Sequence, residues 1–102
     1  MLRFFLHYGI HFLVPIVIGI LFYTKKRGMV ILILLSGILI DLDHFLATPV
    51  FDATRCSIGF HPLHSYSAIA IYVALFSFPK TRIVGLALLI HILADWVDCR
   101  LM

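Results

Sequence analysis

The chain has 102 residues, of which 63% are hydrophobic and 13% charged, and this composition is too apolar for a soluble domain of such length. Long apolar runs separated by short basic clusters indicate transmembrane helices, and the length allows a single domain without a soluble module. The net charge of +3 is small and gathers at the ends of the apolar runs. It therefore indicates orientation in a membrane and argues against nucleic-acid binding.

Four apolar segments predict an all-α protein, a four-helix transmembrane bundle that forms one domain over residues 1–102. The helices are expected at about residues 2–23, 29–46, 63–78 and 83–101. Pro15 interrupts the first helix, Pro62 stands where the third begins, and Pro79 follows its end, as the positional preferences of proline favour. The remaining long stretch, residues 48–61, is rich in turn-forming and polar residues and is predicted to be a loop.

The basic residues predict the orientation of the bundle. Arg3 gives the first run the basic start of a signal peptide, but the run carries His7 and His11 and lacks a small-residue cleavage pattern, so we expect it to remain as a helix. Both short loops are basic and contain no acid; their basic residues are Lys25, Lys26, Arg27, Lys80 and Arg82. The positive-inside rule then puts these loops in the cytoplasm and both termini on the outer side.

The histidines and acidic residues gather at the outer ends of the predicted helices. Counted at about 1.5 Å per residue from the cytoplasmic helix ends, most lie about 18 to 25 Å deep, and His91 lies at about 12 Å. The set comprises all six histidines and all five acidic residues: His7, His11, Asp41, Asp43, His44, Asp52, His61, His64, His91, Asp95 and Asp98. Such groups are costly in a bilayer, and imidazole combined with carboxylate is metal-ligand chemistry, so we predict a metal site near the outer face.

Two of the motifs in this set are helical pairs four residues apart. His91 and Asp95 share a face of the fourth helix, and Asp98 continues that face one turn later. They can bind one metal together, or Asp95 can orient His91; the alternative is a buried hydrogen bond in a bundle core. His7 and His11 share a face of the first helix, where one of them is a candidate ligand or both are interfacial histidines.

The other two motifs flank the long loop. Asp41 and His44 share a face where the second helix ends, whereas Asp43 points elsewhere unless the helix has already unwound. Carboxylates are unfavourable at a helix C-terminus unless a cation compensates them, which favours a metal over a solvated helix end. His61 and His64 stand three apart where the third helix begins and can bind jointly, or they are interfacial histidines.

The two cysteines, Cys56 in the loop and Cys99 near the end of the fourth helix, both fall on the predicted outer side. In an oxidising compartment a disulfide between them is favoured over metal binding by their thiolates. Arg55 in the same loop either steers a phosphate or pairs with Asp52.

In their order along the chain, these motifs resemble those of the bacterial inner-membrane proteins known as YdjM-like metal-dependent hydrolases. The resemblance rests on an early histidine, DLDH at 41–44, a histidine pair that runs into His64-Ser65, and HILAD at 91–95. Segment 55–65 also resembles a smaller four-helix branch of such proteins, a domain of unknown function. The resemblance implies an inner-membrane location with the site facing the periplasm. It implies as metal ligands Asp41, Asp43, His44, His64, His91 and Asp95, with His7 or His11 as the early histidine.

One departure from that family concerns the third motif. The chain has HPLHS at 61–65 where the family has HRxxTHS, so His61 is displaced and the arginine is missing. This departure leaves open whether His61 is a direct ligand.

The expected function is that of a membrane hydrolase which cleaves an ester or phosphoester of a lipid or lipid-linked substrate at the outer interface. One to three divalent ions are expected, with zinc as the first choice and iron or manganese as alternatives. Asp43 or Asp95 is the predicted general base, where it is not a ligand. The rival interpretation is a non-catalytic metal-binding protein or metal carrier, or a structural metal site. A homodimer is left open.

Overall fold

The computed structural model of the chain describes residues 2–50, 52 and 54–102. Its α-helices are α1 (Leu2–Phe22), α2 (Arg27–Leu35), α3 (Tyr66–Ser77) and α4 (Arg82–Arg100). Two 3-10 segments, Ser36–Leu46 and Pro62–His64, follow α2 and precede α3. The described residues form four α-helices and no strand, so the all-α prediction is confirmed. Within the predicted loop 48–61, residues 51 and 53 lie outside the described part of the chain.

The second predicted helix differs from the expectation, because it is α-helical only as far as Leu35 and then becomes a 3-10 helix over Ser36–Leu46. A 3-10 helix has three residues per turn, so side chains three positions apart form straight rows. The row that faces the core consists of the buried residues Gly37 and Asp43 and the partly buried Ile40. The half-buried row, which faces a pocket, consists of Ile38, Asp41 and His44. The exposed row consists of Leu39, Leu42 and Phe45.

Gly37 permits the close approach of this 3-10 segment to α4. A Cβ atom at position 37 would lie 2.5 Å from the backbone carbonyl oxygen of Ala87. This contact brings the 3-10 segment, and with it the half-buried row that faces the pocket, close to α4.

The central element of the bundle is α4, which packs against α1, α2, α3 and the Ser36–Leu46 segment. One cluster of buried apolar side chains joins it to α2 and consists of Val30, Leu34, Ala87 and Ile90. A second cluster joins it to α3 and consists of Ala68, Tyr72 and Ile92. His91 and Asp95 lie on the same helix, immediately next to these clusters, and both are buried.

The third helix is shorter than predicted, since α3 begins at Tyr66. Ser65 is its N-cap and accepts a hydrogen bond from the amide of Ala68, which satisfies a backbone donor of the first turn. The preceding turn, Pro62–His64, is held by the hydroxyl of Tyr72, which donates to the carbonyl of Leu63 over 2.7 Å. This turn therefore has a fixed position on α3.

Two stretches are long and apolar enough to cross a membrane, Leu2–Phe22 and Arg27–Leu46. Only 17% and 22% of their most apolar windows are buried, so most of their apolar side chains face outward. A core helix of a soluble protein would be mostly buried, and these two are not.

A disulfide joins Cys56 in the loop to Cys99 in the last turn of α4, across a sequence separation of 43. At the same end of the bundle, Arg3 donates to both carboxylate oxygens of Asp98, over 2.6 and 3.0 Å. These two links connect the loop and the start of α1 to the end of α4.

Candidate metal centre

An open pocket of about 520 Å³ lies at the end of the bundle where α1 begins and α4 ends. Its polar wall includes Arg3, His7, Asp41, His44, Arg55, Ser57, His61, Asp95 and Asp98. Its apolar wall includes Phe4, Tyr8, Ile38 and Phe45. The structure therefore brings together side chains from α1, the 3-10 segment, the long loop and α4.

Four side chains converge beside this pocket, and we call them the central group: Asp41, His64, His91 and Asp95. The Nε2 atom of His64 lies 2.9 Å from Asp95 Oδ2, 3.0 Å from His91 Nε2 and 3.3 Å from Asp41 Oδ1. The Nε2 atom of His91 lies 2.9 Å from Asp41 Oδ1 and 3.1 Å from Asp95 Oδ2. Two imidazole nitrogens and two carboxylate oxygens thus face one point.

The spacing of these four atoms fits one metal ion. Two ligand atoms bound tetrahedrally to zinc, each at about 2.0 Å, lie about 3.3 Å apart, and the five distances in the central group that involve an imidazole nitrogen run from 2.9 to 3.3 Å. His64 and His91 are 0% and 1% exposed. Two buried imidazole nitrogens that face each other and two carboxylates form an arrangement that a cation stabilises.

Asp43 lies behind the central group and orients His64. Its Oδ2 atom accepts hydrogen bonds from the backbone amide of Leu63, over 2.8 Å, and from Nδ1 of His64, over 3.0 Å. With its proton on Nδ1, His64 presents the lone pair of Nε2 to the other three ligands. A carboxylate that fixes the tautomer and the ring of a metal-binding histidine is a recurrent feature of metal sites.

His44 is oriented by the other oxygen of the same carboxylate. Nδ1 of His44 lies 3.0 Å from Asp43 Oδ1, and its Nε2 lies 3.5 Å from the hydroxyl oxygen of Ser57. His44 and Ser57 both line the pocket. His44 therefore presents Nε2 to the pocket while Nδ1 contacts a buried carboxylate.

His44 also belongs to a second set of potential ligands, with Asp43 and His61. The rings of His44 and His61 are stacked, however, with centroids 3.8 Å apart and planes inclined by 21°. Imidazole nitrogens bind metals through lone pairs that lie in the ring plane, and two nearly parallel planes do not direct these lone pairs to a common point. The geometry thus favours His61 as a stacking partner of His44 over a joint ligand.

A third set consists of His7, His11 and Asp95. His11 is 4% exposed, and its ring centroid lies 4.4 Å from those of His7 and His91. The rings of His7 and His11 are inclined by 78°. This set adjoins the central group, because Asp95 belongs to both.

The chain matches over residues 1–102 a family of unknown function, DUF6122. The chain belongs to DUF6122. Comparison with curated proteins gives no match, and comparison with solved structures gives none either. The family match leaves the resemblance to YdjM-like hydrolases without further support.

Two of the remaining residues in this DUF6122 protein have shifted pKa values outside the apolar helices. Burial lowers the pKa of the His61 imidazole, and the neighbouring His44 lowers it further. The hydroxyl and the amide of Thr54 donate to Asp52 Oδ1 and lower the pKa of that carboxyl group. Asp52 is thus a turn residue of the loop.

The guanidinium of Arg55 donates to the carbonyl of Val50, over 3.1 Å, and lies 4.7 Å from the ring centroid of Phe60. Asp52, one of the two predicted partners of Arg55, accepts hydrogen bonds from Thr54 in the DUF6122 protein, while the charge of Arg55 also acts on its carboxyl group. Arg55 remains a cation in the wall of the pocket.

Sequence reasoning missed three site features of the DUF6122 protein. The orienting role of Asp43 depends on the 3-10 helix, the pairing of Arg3 with Asp98 joins residues 95 positions apart, and Ser57 has no motif around it that would indicate its place in the pocket. Only the first had a local signal. The exposed residues Leu39, Leu42 and Phe45 repeat every three positions, which matches the period of a 3-10 helix.

Proposed function

We propose that this protein is an integral membrane metal-dependent hydrolase that cleaves an ester or phosphoester of a lipid or lipid-linked substrate. The observation that carries the proposal is the central group, whose four ligand atoms converge beside an open pocket. A metal site that only stabilises the fold does not require an adjoining pocket of about 520 Å³.

The membrane part of the proposal is supported by the surface of the bundle. Large apolar side chains are exposed on all sides of it, for example Leu21, Leu32, Leu42, Ile71 and Leu93, and a contiguous apolar surface of this kind indicates contact with lipid. The basic loops then orient the pocket toward the periplasmic side of a bacterial inner membrane, as the resemblance to YdjM-like proteins also implies.

Zinc is the ion that we propose for the central group. Two imidazoles and two carboxylates suit zinc, which can expand to five ligands and so admit a water, while iron and manganese accept the same ligand types at higher coordination numbers. A bound divalent ion would polarise the scissile carbonyl or phosphoryl group and lower the pKa of water. His64, His91, Asp41 and Asp95 are the residues that would hold it.

We assign to His44 the acceptance of a proton from the attacking water. Asp43 was the predicted base, but its oxygens accept from Leu63, His64 and His44, and it is buried, so it acts through His44 instead. Asp95, the other predicted base, is a ligand in this assignment. A carboxylate contact on Nδ1 fixes the orientation of the imidazole and keeps its proton on that nitrogen, so Nε2 of His44, which faces the pocket, is left to accept a proton.

The lining of the pocket supports an amphipathic substrate. Phe4, Tyr8 and Phe45 are each more than 40% exposed and offer an apolar surface to a lipid chain, whereas Arg55 on the opposite, loop-derived part of the wall offers a cation to a phosphate. Arg3 also lines the pocket, but its charge is compensated by Asp98.

The rival proposal of a metal carrier has less support. A carrier requires polar groups along its whole depth, and below His91 the bundle is filled by the apolar cluster of Val30, Leu34, Ala87 and Ile90. A non-catalytic site with a structural metal is the stronger rival. It predicts bound metal without hydrolysis.

The test is to purify the protein in detergent, measure its zinc content, and assay cleavage of phospholipids and of a lipid-linked pyrophosphate. Hydrolysis should disappear with a chelator and return with zinc. Asp41→Asn should lose activity, whereas Lys80→Gln, which removes a charge from the short loop between α3 and α4 outside the pocket, should keep it. Metal without hydrolysis of any lipid ester would support the structural site, and absence of bound metal would refute the proposal.

A further inference from the structure

The two histidines of α1 face α4 next to the central group. His7 and His11 are four residues apart on one face of α1, and α1 and α4 are in extensive contact. The centroid of the His11 ring lies 4.4 Å from that of His91. These imidazoles are therefore neighbours of the central group without being part of it.

Each of these histidines has a buried nitrogen without a hydrogen bond in the described part of the chain, Nδ1 of His7 and Nε2 of His11. Buried polar atoms without a partner are rare in folded proteins, and a bound ion is one way in which such atoms are satisfied. His11 is 4% exposed, so water from the pocket has little access to it. A ligand for these nitrogens must therefore lie between α1 and α4.

Asp95 offers one oxygen to each side. Its Oδ2 lies 2.9 Å from Nε2 of His64 in the central group, whereas its Oδ1 lies 3.8 Å from Nδ1 of His7. The longer distance exceeds a hydrogen bond. The distance between Asp95 Oδ1 and His7 Nδ1 is compatible with an ion between these atoms, because two atoms that each lie about 2.0 to 2.2 Å from one zinc can be up to about 4 Å apart.

We infer that the centre holds two divalent metal ions which share the carboxylate of Asp95. The first ion is bound by the central group, and the second by His7, His11 and Asp95 on the side of α1. This inference rests on the metal site of the proposed function and adds a second ion to it.

The alternative place for a second ion, with Asp43, His44 and His61, also has a buried nitrogen without a hydrogen bond in the described residues, Nε2 of His61, but its geometry is less suitable. Asp43 Oδ2 already accepts from Leu63 and His64, and the two imidazoles are stacked. The rings of His7 and His11 are inclined by 78°, so parallel ring planes do not prevent their lone pairs from pointing to one ion.

A second ion would define the substrate class. His7, Asp41 and Asp95 all line the pocket, so both ions would be accessible from it. Two ions about 3.5 to 4 Å apart are the arrangement that stabilises the attacking and the leaving oxygen of a phosphoryl group. The paired centre therefore favours a phosphoester of a lipid over a carboxylic ester.

The test is to load the purified, metal-stripped protein with manganese(II), measure bound manganese, and record its electron paramagnetic resonance spectrum. Two ions per chain with an exchange-coupled spectrum are expected, because ions bridged by one carboxylate interact magnetically. One ion per chain, or two ions without coupling, would overturn the inference and leave a single-metal hydrolase standing. Absence of bound manganese and of bound zinc would overturn the proposed function as well.

Variants locate the second ion. His11→Ala should lose one ion and the coupling while the central group keeps the other ion, and His61→Ala is the matched control that should keep both. Loss of an ion from His61→Ala and not from His11→Ala would place the second ion on the loop side and overturn the assignment. Circular dichroism checks that each variant folds, and the spectrum of the unmodified protein decides the question even if His11→Ala does not fold.

Discussion

Replacement of Asp43 by asparagine separates the orientation of a metal ligand from the binding of the metal itself. Asp43 is 5% exposed and accepts from the amide of Leu63 and from Nδ1 of His64 with one oxygen, while the other oxygen contacts Nδ1 of His44. Asparagine has the same shape but only one acceptor and no charge. In either orientation of the amide, His64 loses a charged acceptor; the amide nitrogen then replaces either the oxygen that contacts His44 or the oxygen that accepts from both Leu63 and His64.

The expected effect is a loss of metal affinity at the central group. Removal of a carboxylate that orients a metal-binding histidine typically lowers affinity about 10- to 100-fold, which corresponds to about 1.4 to 2.7 kcal/mol. All four ligands of the group remain in the Asp43→Asn variant. The number of ions bound at saturating metal should therefore stay the same while the dissociation constant rises.

Competition with a chromophoric zinc chelator in detergent measures this dissociation constant. Asp52→Asn is the control, because it removes the same charge from a loop carboxylate whose side-chain contacts are with Thr54. An unchanged affinity in Asp43→Asn would refute the orienting role. An equal loss in both variants would show that net charge, and not the contact with His64, determines affinity.

Three further predictions concern the frame of the site and are measured by thermal unfolding in detergent. Gly37→Ala should destabilise the protein by about 1 to 3 kcal/mol, since the added methyl group would lie 2.5 Å from a carbonyl oxygen of α4. Gly9→Ala is the control, because a Cβ atom there would have nothing within 4 Å, and it should be neutral or stabilising. Reduction of the bond between Cys56 and Cys99 should lower the melting temperature, with about 4 kcal/mol as the upper limit from loop entropy, and an unchanged melting temperature would contradict the tethering role. Arg3→Met should cost about 1 to 3 kcal/mol, because it leaves a partly buried carboxylate without its bidentate partner; an unaltered melting temperature would show that the pair contributes nothing.

The parts of the site that could be predicted from the sequence are those set by local geometry. His91 and Asp95 lie four apart on α4, and their side chains meet with 3.1 Å between Nε2 and Oδ2, as helical spacing requires. His7 and His11 face the same side of α1 for the same reason. The sequence also indicates that the polar side chains of these helices lie at similar depths, because a bundle in an apolar environment buries such groups together.

The parts that could not be predicted depend on tertiary contacts. The segment after Leu35 packs closely against α4, where Gly37 lies next to the backbone of Ala87, and a single sequence does not show this contact. The partnership of Arg3 with Asp98 joins the two ends of the chain. Neither residue has a neighbour in sequence that would identify the other.

The 3-10 geometry explains why two aspartates only two positions apart have different roles. At about 120° per residue, Asp41 and His44 lie in one row and face the pocket, while Asp43 lies in the next row and faces the core with Gly37 and Ile40. At the roughly 100° per residue of an α-helix, Asp41 and His44 would diverge by about 60°. Both side chains would still lie on one face of a continuous α-helix but would be offset around its axis, whereas the 3-10 helix aligns them in one straight row. In this 3-10 segment one short motif, DLDH, thus places the proposed ligand Asp41 and the proposed base His44 in one row, with the orienting carboxylate of Asp43 in the next row.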